Sequence, residues 1–255
     1  MTKKGEFKIA NTDHLVSVII PTYCEEKIIE ECLKSVENQK FDGGRIEIIV
    51  VDSNSPDNTR AIAEKYADRV INLKHRGVGK ARNAGAKMAR SETLLFLDAD
   101  TLLDHNFLAA IRETFTDPNV VCVSGTVAGL EKLDATDNLF AFSHYSFMNK
   151  VATLTAHLGF PLFPTVCCAC RKSVFDQVGG FDEDLAIAED LVFSRKMGKV
   201  GKCLVNREAK AYTSVRRIKK CGLMRTYFSY FGNYFKVFIL NQKPWVQDFP
   251  HVHET

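Results

Sequence analysis

The stretch Thr93-Leu94-Leu95-Phe96-Leu97-Asp98-Ala99-Asp100 decides the fold. Residues Thr93 to Leu97 are apolar or β-branched with no polar alternation. That pattern predicts a strand buried on both faces, as in a parallel sheet. The run stops at two carboxylates one residue apart. In an open α/β sheet, ligands collect at the carboxyl ends of the strands. Two acids there lose hydration and repel each other unless a cation joins them. A divalent metal escorting a phosphorylated ligand satisfies both constraints. A polar turn capping the next helix is the other reading of the same residues, and this window alone does not choose between them.

Moving toward the N-terminus, Val16 to Ile20 is a β-branched run stopped by Pro21, and it predicts a core strand. Pro21 to Glu25 forms the following loop. Ile28, Ile29, Cys32, Leu33 and Val36 fall at helical spacing and predict a helix over 26–38. Ile46 to Val51 is a second buried strand and also ends in an acid, Asp52. The capping-rich loop 53–58 then opens a helix to Tyr66, and Val70 to Leu73 is a short strand. In Arg76-Gly77-Val78-Gly79-Lys80-Ala81-Arg82-Asn83-Ala84-Gly85, glycines precede a helix with Lys80 and Arg82 in its first turns, which suits an anion. The spacing is neither a dinucleotide fingerprint nor a Walker A loop. Strand and helix thus alternate four times, predicting a doubly wound, mainly parallel α/β sheet. Tyr23, Glu25, Asp52, Arg82, Asp98 and Asp100 should then converge on one edge, which favours a nucleotide-diphosphate site with a metal.

Beyond Asp100, the pattern predicts a helix over 104–115, a strand over 119–127 and a long helix over 134–158 that packs on the sheet, an acceptor groove being the other reading of its aromatic residues. His144 and His157 read as ordinary helix residues. A strand over 163–169, a helix over 171–178, a helix from Ala188 to Met197, and two late strands, 202–205 and 209–213, complete the expected elements. Cys167 and Cys170 form a C-x-x-C, but no second close pair completes a four-ligand zinc site, so buried thiols are expected.

Four pieces together resemble the family 2 inverting glycosyltransferases of GT-A fold. They are Val18-Ile19-Ile20-Pro21-Thr22-Tyr23-Cys24-Glu25, Ile49-Val50-Val51-Asp52-Ser53-Asn54-Ser55-Pro56-Asp57, Gly79-Lys80-Ala81-Arg82-Asn83-x-Gly85 and Phe96-Leu97-Asp98-Ala99-Asp100. Gly179-Gly180-Phe181-Asp182-Glu183 and the pair Glu189-Asp190 match as well. Cys24 departs from the Asn usual in that family. The resemblance implies a Rossmann-like, mainly parallel central sheet flanked by helices, with a C-terminal helical extension. It implies that Pro21, Tyr23 and Glu25 border the nucleoside, that Asp52 bonds the base, and that Lys80 and Arg82 lie near the base or diphosphate. Asp98 would approach ribose and metal, and Asp100 would hold Mg²⁺ or Mn²⁺. Asp190 is the implied catalytic base, supported by Glu189. Arg216 and Arg217 either clamp the donor phosphates or are surface basics. The implied partners are a nucleotide-sugar donor, UDP-linked ahead of GDP-linked, and an acceptor hydroxyl on a glycan or a lipid-linked molecule. No Gln-x-x-Arg-Trp motif is present, which points to transfer of single sugars. A nucleotidyltransferase acting on a sugar phosphate, or a catalytically silent nucleotide-binding scaffold, are the other readings.

The chain of 255 residues is 45% hydrophobic and 25% charged, as expected of a globular protein. Its net charge of +3 is too small to argue for nucleic acid. The charge is nonetheless uneven: Lys199 to Lys236 holds ten Lys or Arg against one acid, Glu208. Seven aromatic residues follow between Tyr227 and Phe238. Residues 1–215 therefore read as the GT-A domain and 216–255 as a basic, aromatic extension. That extension suits either a membrane interface or packing on the domain or in a dimer. The polar start, the lack of an 18-residue apolar run and the eight cysteines predict a cytoplasmic protein with reduced thiols, peripheral at most to the membrane face.

Overall fold

The computed structural model describes residues 14–40, 44–131, 135–185, 187–216 and 232. β1 (His14–Thr22), β2 (Arg45–Asp52), β3 (Arg69–Asn72) and β4 (Thr93–Leu97) form a parallel block in the order β3-β2-β1-β4. The connecting helices are α1 (Ile29–Glu37), α2 (Thr59–Ala63) and α3 (Val78–Met88). The chain continues through β5 (Thr101–Leu103), α4 (Phe107–Thr114), β6 (Val120–Gly129), α5 (Ala135–His157), β7 (Cys167–Arg171), α6 (Lys172–Gln177), α7 (Glu189–Gly198) and β8 (Lys202–Thr213). These strands extend the sheet as β4-β7-β6-β8-β5. The β6–β8 pair is parallel, whereas β7 runs antiparallel to both β4 and β6, and β5 antiparallel to β8.

Both faces of β4 are buried. Leu95 and Leu97 join a core with Val18, Ile20, Leu33 and Phe107, while Leu94 and Phe96 join a second core with Ile19, Val51, Phe181 and Phe193. That two-sided burial is why the segment carries no polar residue before Asp98. Phe96 lies at the centre of an aromatic group, its ring centroid 5.0 Å from Phe181 and 5.5 Å from Phe175. Phe181 in turn stacks on Phe193 at 4.2 Å.

Several local expectations are corrected. Pro21 does not end β1, which runs on to Thr22 with Pro21 opposite Val51. Pairing of β1 with β4 stops at Ile19, so no partner on that side calls for the missing N–H of Pro21. The expected strand over 163–169 is instead Cys167–Arg171. The two expected late strands are one, β8, with an irregularity against β6 where Asn206 Oδ1 accepts the backbone N–H groups of Glu208 and Ala209 at 2.8 and 3.3 Å. The short strand β5 is a further element, formed by antiparallel pairing with the end of β8.

Cys167 and Cys170 point to opposite faces of β7: Cys167 packs with Leu97, and Cys170 with Phe96. They cannot share a metal. Burial raises the thiols of Cys122, Cys167 and Cys170, so they stay protonated, even where Cys122 and Cys168 sulfurs approach to 3.4 Å.

α3 docks on the sheet through Gly85, where a Cβ would fall 2.4 Å from Ile19 Cγ2 and 3.1 Å from Val51 Cγ2. Gly85→Val should therefore overpack this interface and cost about 1–3 kcal/mol, measured as a lowered urea midpoint at unchanged m-value.

Candidate active site

Parallel β1, β2 and β4 deliver Tyr23, Asp52 and Asp98 to the same sheet edge because their C-terminal ends coincide. Asp52 is almost fully buried. Its Oδ1 accepts the hydroxyls of Thr22 (3.2 Å) and Ser55 (2.5 Å), and its Oδ2 accepts the Ser55 N–H at 3.0 Å. The loop after β2 is thereby pinned. Pro21 is half-buried beside it at the end of β1. Tyr23 lies under Arg76, whose guanidinium carbon sits 3.9 Å from the ring centroid and whose Nη2 hydrogen-bonds the phenol. Arg76 lay within the quoted glycine-rich stretch, yet nothing in the sequence gave it this partner.

α3 joins the sheet edge to the later part of the chain. The Asn83 amide donates to the Phe181 carbonyl (3.0 Å) and to Glu183 (2.9 Å), while its oxygen accepts the Phe181 N–H (2.9 Å). The loop carrying Phe181 needs Gly179 and Gly180, whose φ values of 74° and 62° lie in the left-handed region. Lys80 is half-buried in the first turn of α3.

Arg82 is 3% exposed. Its Nη2 donates to Asp98 Oδ1 at 2.8 Å and its Nη1 to Glu189 Oε1 at 2.9 Å. Two of its nitrogens are thus committed to protein carboxylates, and Arg82 ties β4 to α7. Glu189 opens α7 and is buried; burial raises its pKa and the Arg82 charge opposes the rise. Asp190 follows it, half-buried, with Oδ1 accepting the Leu191 N–H at 2.8 Å. Burial, reinforced by the neighbouring Glu189 charge, pushes the Asp190 carboxyl up to about 7, with Arg82 pulling the other way.

A second cluster lies beyond Asp98. Arg216 makes a fork to both oxygens of Glu25, at 2.5 and 2.6 Å, and its Nη2 also lies 3.2 Å from Asp100 Oδ2. The Thr213 hydroxyl is 3.5 Å from Asp100 Oδ1, and the Ser214 N–H donates to the Asp100 carbonyl at 3.0 Å. Arg217 and the aromatic stretch Tyr227 to Phe238 lie outside the described residues.

Asp98 and Asp100 offer hard oxygen donors suited to Mg²⁺ or Mn²⁺. Among the described residues no group of three or more His, Cys, Asp or Glu is placed to enclose a metal. The donor set therefore fits a cation bound by one or two carboxylates that completes its shell with phosphate oxygens and water.

Among the described residues, non-glycine residues with positive φ are Cys24 (55°), Asn54 (59°) and Ala188 (65°). They follow β1, follow β2 and precede α7, so backbone strain is concentrated in the loops that present Glu25, Asp52 and Glu189-Asp190.

The glycosyl transferase family 2 profile matches residues 17–179, and the chain belongs to that family. It is 27% identical over 207 residues to glycosyltransferase AglE of Haloferax volcanii, covering 76% of this chain and 64% of that protein. It is 31% identical over 191 residues to the poly(ribitol-phosphate) beta-N-acetylglucosaminyltransferase TarS of Staphylococcus aureus, covering 71% of this chain and 32% of that one. The chain thus spans less than two thirds of either relative. The crystal structure of S. aureus TarS 1-349 in complex with UDP-GlcNAc superposes with a TM-score of 0.63 at 28% identity, over 78% of this chain and 58% of that one. The mannosyltransferase PcManGT from Pyrobaculum calidifontis, in complex with GDP-Man and Mn2+, shares the fold with a TM-score of 0.64 at 24% identity, over 78% of this chain and 56% of that one.

Removing Arg82 would strand two acids at the junction of β4 and α7. Arg82→Met should cost about 3–5 kcal/mol, the penalty for breaking a buried pair from one side, read by chemical denaturation. Cys24 holds a left-handed conformation that Asn adopts more readily. Cys24→Asn should raise stability by about 1 kcal/mol, read as a higher melting temperature.

Proposed function

We propose that this chain is a metal-dependent, inverting glycosyltransferase. It moves one sugar from a nucleotide-diphosphate donor to an acceptor hydroxyl on a glycan or a lipid-linked molecule. The observation that carries the reading is Asp190: a carboxylate with a pKa raised to about 7, at the start of α7, joined through Glu189 and Arg82 to the strand end that carries Asp98. A general base works best when its pKa lies near the working pH.

In this reading Asp190 takes the proton from the acceptor hydroxyl as its oxygen attacks the anomeric carbon. Glu189, fixed by Arg82, sets the position of α7 and hence of Asp190. The attacking oxygen and the leaving diphosphate lie on opposite sides of that carbon, so configuration inverts and no nucleophilic carboxylate is needed. Asp100, with Asp98, would hold Mg²⁺ or Mn²⁺, which supplies charge stabilisation for the leaving diphosphate when bound. Arg216, now forked on Glu25, lies within reach of the same region to add positive charge, and Arg217 is its proposed companion. Pro21, Tyr23, Glu25, Asp52 and Lys80 form the proposed nucleoside and diphosphate wall. The likeness to TarS solved with UDP-GlcNAc supports a UDP-sugar ahead of a GDP-sugar. Residues 1–215 are the proposed transfer unit and 216–255 a basic, aromatic extension that places the protein at the cytoplasmic membrane face. Among the described residues no helix is long and apolar enough to cross a membrane.

Incubation with a panel of UDP- and GDP-sugars and Mn²⁺ should release free nucleoside diphosphate. Pyrophosphate release would identify a nucleotidyltransferase, and no turnover with any donor would leave a binding protein. Asp190→Asn should lower turnover by about 10²–10⁴-fold with donor binding by calorimetry retained; wild-type turnover would remove Asp190 as the base. Because the base acts deprotonated, the wild-type rate should be maximal above about pH 7 and fall about tenfold per unit below it.

A further inference from the structure

α5 is apolar on both its inner and its outer faces. Its inner face is buried through Ala141, Ala152, Thr155 and Ala156, and Asn149 pins it to β6 with bonds to the Val127 N–H (3.1 Å) and carbonyl (2.9 Å). The outer face is exposed among the described residues. Phe147, Leu154 and Leu158 are 53%, 58% and 57% exposed. Spaced by seven and four residues, they form one stripe about 16 Å long. Phe160 (49%) follows just beyond the helix, whereas Phe142 (73%) is exposed about 140° around the helix from the stripe. Single exposed apolar residues are ordinary, but an aligned set on one helix marks an interaction surface.

Charge identifies the partner. From Asn138 to Leu158 the sequence contains no Asp or Glu, while Lys150 is exposed beside the stripe and His157 ends the helix. An apolar stripe edged by the exposed Lys150, on a helix with no acid after Asp137, fits the interface of an anionic bilayer. Leu130, just before α5, donates its N–H to the Thr213 carbonyl at 2.8 Å, and Glu131 accepts the Ser214 hydroxyl (2.5 Å) and the Val215 N–H (2.7 Å). These bonds fix Thr213 to Val215, just before Arg216, to the segment that leads into α5.

We infer that the outer face of α5 is a membrane-docking surface, with Phe147, Leu154 and Leu158 entering the headgroup–acyl boundary of an anionic bilayer and Lys150 meeting its phosphates. This extends the membrane contact proposed above for residues 216–255, but assigns it to a different element, so the two stand or fall separately. Flotation of the full chain with phosphatidylglycerol/phosphatidylcholine vesicles, and with phosphatidylcholine alone, tests it. Binding to the anionic vesicles is expected, weakened at least tenfold by Phe147→Glu combined with Leu154→Glu. Lys150→Glu, which leaves the apolar stripe intact, should weaken binding about fivefold or more, since one basic residue near the surface has roughly that effect. Donor binding by calorimetry on the same samples should stay unchanged, which separates this surface from the sugar-transfer reading. Wild-type flotation by both variants would assign the contact to residues 216–255 alone and overturn the inference. Failure of the wild type to float, with a concentration-dependent dimer in light scattering that the double variant abolishes, would overturn it in favour of a second copy of the chain.

Discussion

One buried cation holds the candidate site together. Arg82 sits between Asp98, at the end of β4, and Glu189, at the start of α7. Neither carboxylate is tolerable so close to the other without it, because both lose hydration and repel. The same constraint reaches Asp190. Its raised pKa follows from burial beside Glu189, and Arg82 keeps that rise from running higher. A single guanidinium thus fixes where α7 begins and how readily its second residue carries a proton. α3 brings Arg82 there because Gly85 lets it lie close on β1 and β2, while Asn83, one residue on, clamps the Phe181 loop. Sheet packing, loop placement and site electrostatics are therefore set by one helix.

Strain and order coincide at this edge. Cys24, Asn54 and Ala188 hold left-handed conformations, which Cys and Ala resist more than Asn does. The Cys24 N–H is held by Ser55, whose hydroxyl in turn binds Asp52. The loops that present the acids are consequently fixed by bonds between loops, without regular structure of their own. This arrangement resembles a preorganised site, in which the cost of positioning is met during folding rather than at each encounter with ligand.

The parallel block was legible in the sequence because its signal is local. Val18 to Ile20, Ile48 to Val51 and Leu94 to Leu97 are buried on both faces, and each lacks polar residues for that reason. The acids at their ends were legible too, since strand ends on one edge must converge. What escaped was non-local. The fork from Arg216 to Glu25 spans 191 positions and the bond from Arg82 to Glu189 spans 107. No window of sequence contains either pair, so the bridge made by Arg82 could not be read there. β5 escaped because its three residues become a strand only by pairing with the end of β8. The bend in β8 read as a gap between two strands because Asn206 and Glu208 have the chemistry of a turn.

The antiparallel seam between β4 and β7 also orders events during synthesis. β1 to β4 and their helices can assemble as soon as they emerge, but the open edge of β4 waits for Cys167 to Arg171, about seventy residues later. At about 5–20 residues per second the ribosome leaves that apolar edge uncovered for roughly 4–14 s. Arg82 waits longer still, about 5–20 s, for Glu189. The nascent chain therefore passes through an interval in which its sheet is half built and its central cation lacks one of its two counter-ions. Chaperone demand should be concentrated in that interval, and the geometry of the candidate site is completed among the last steps of folding.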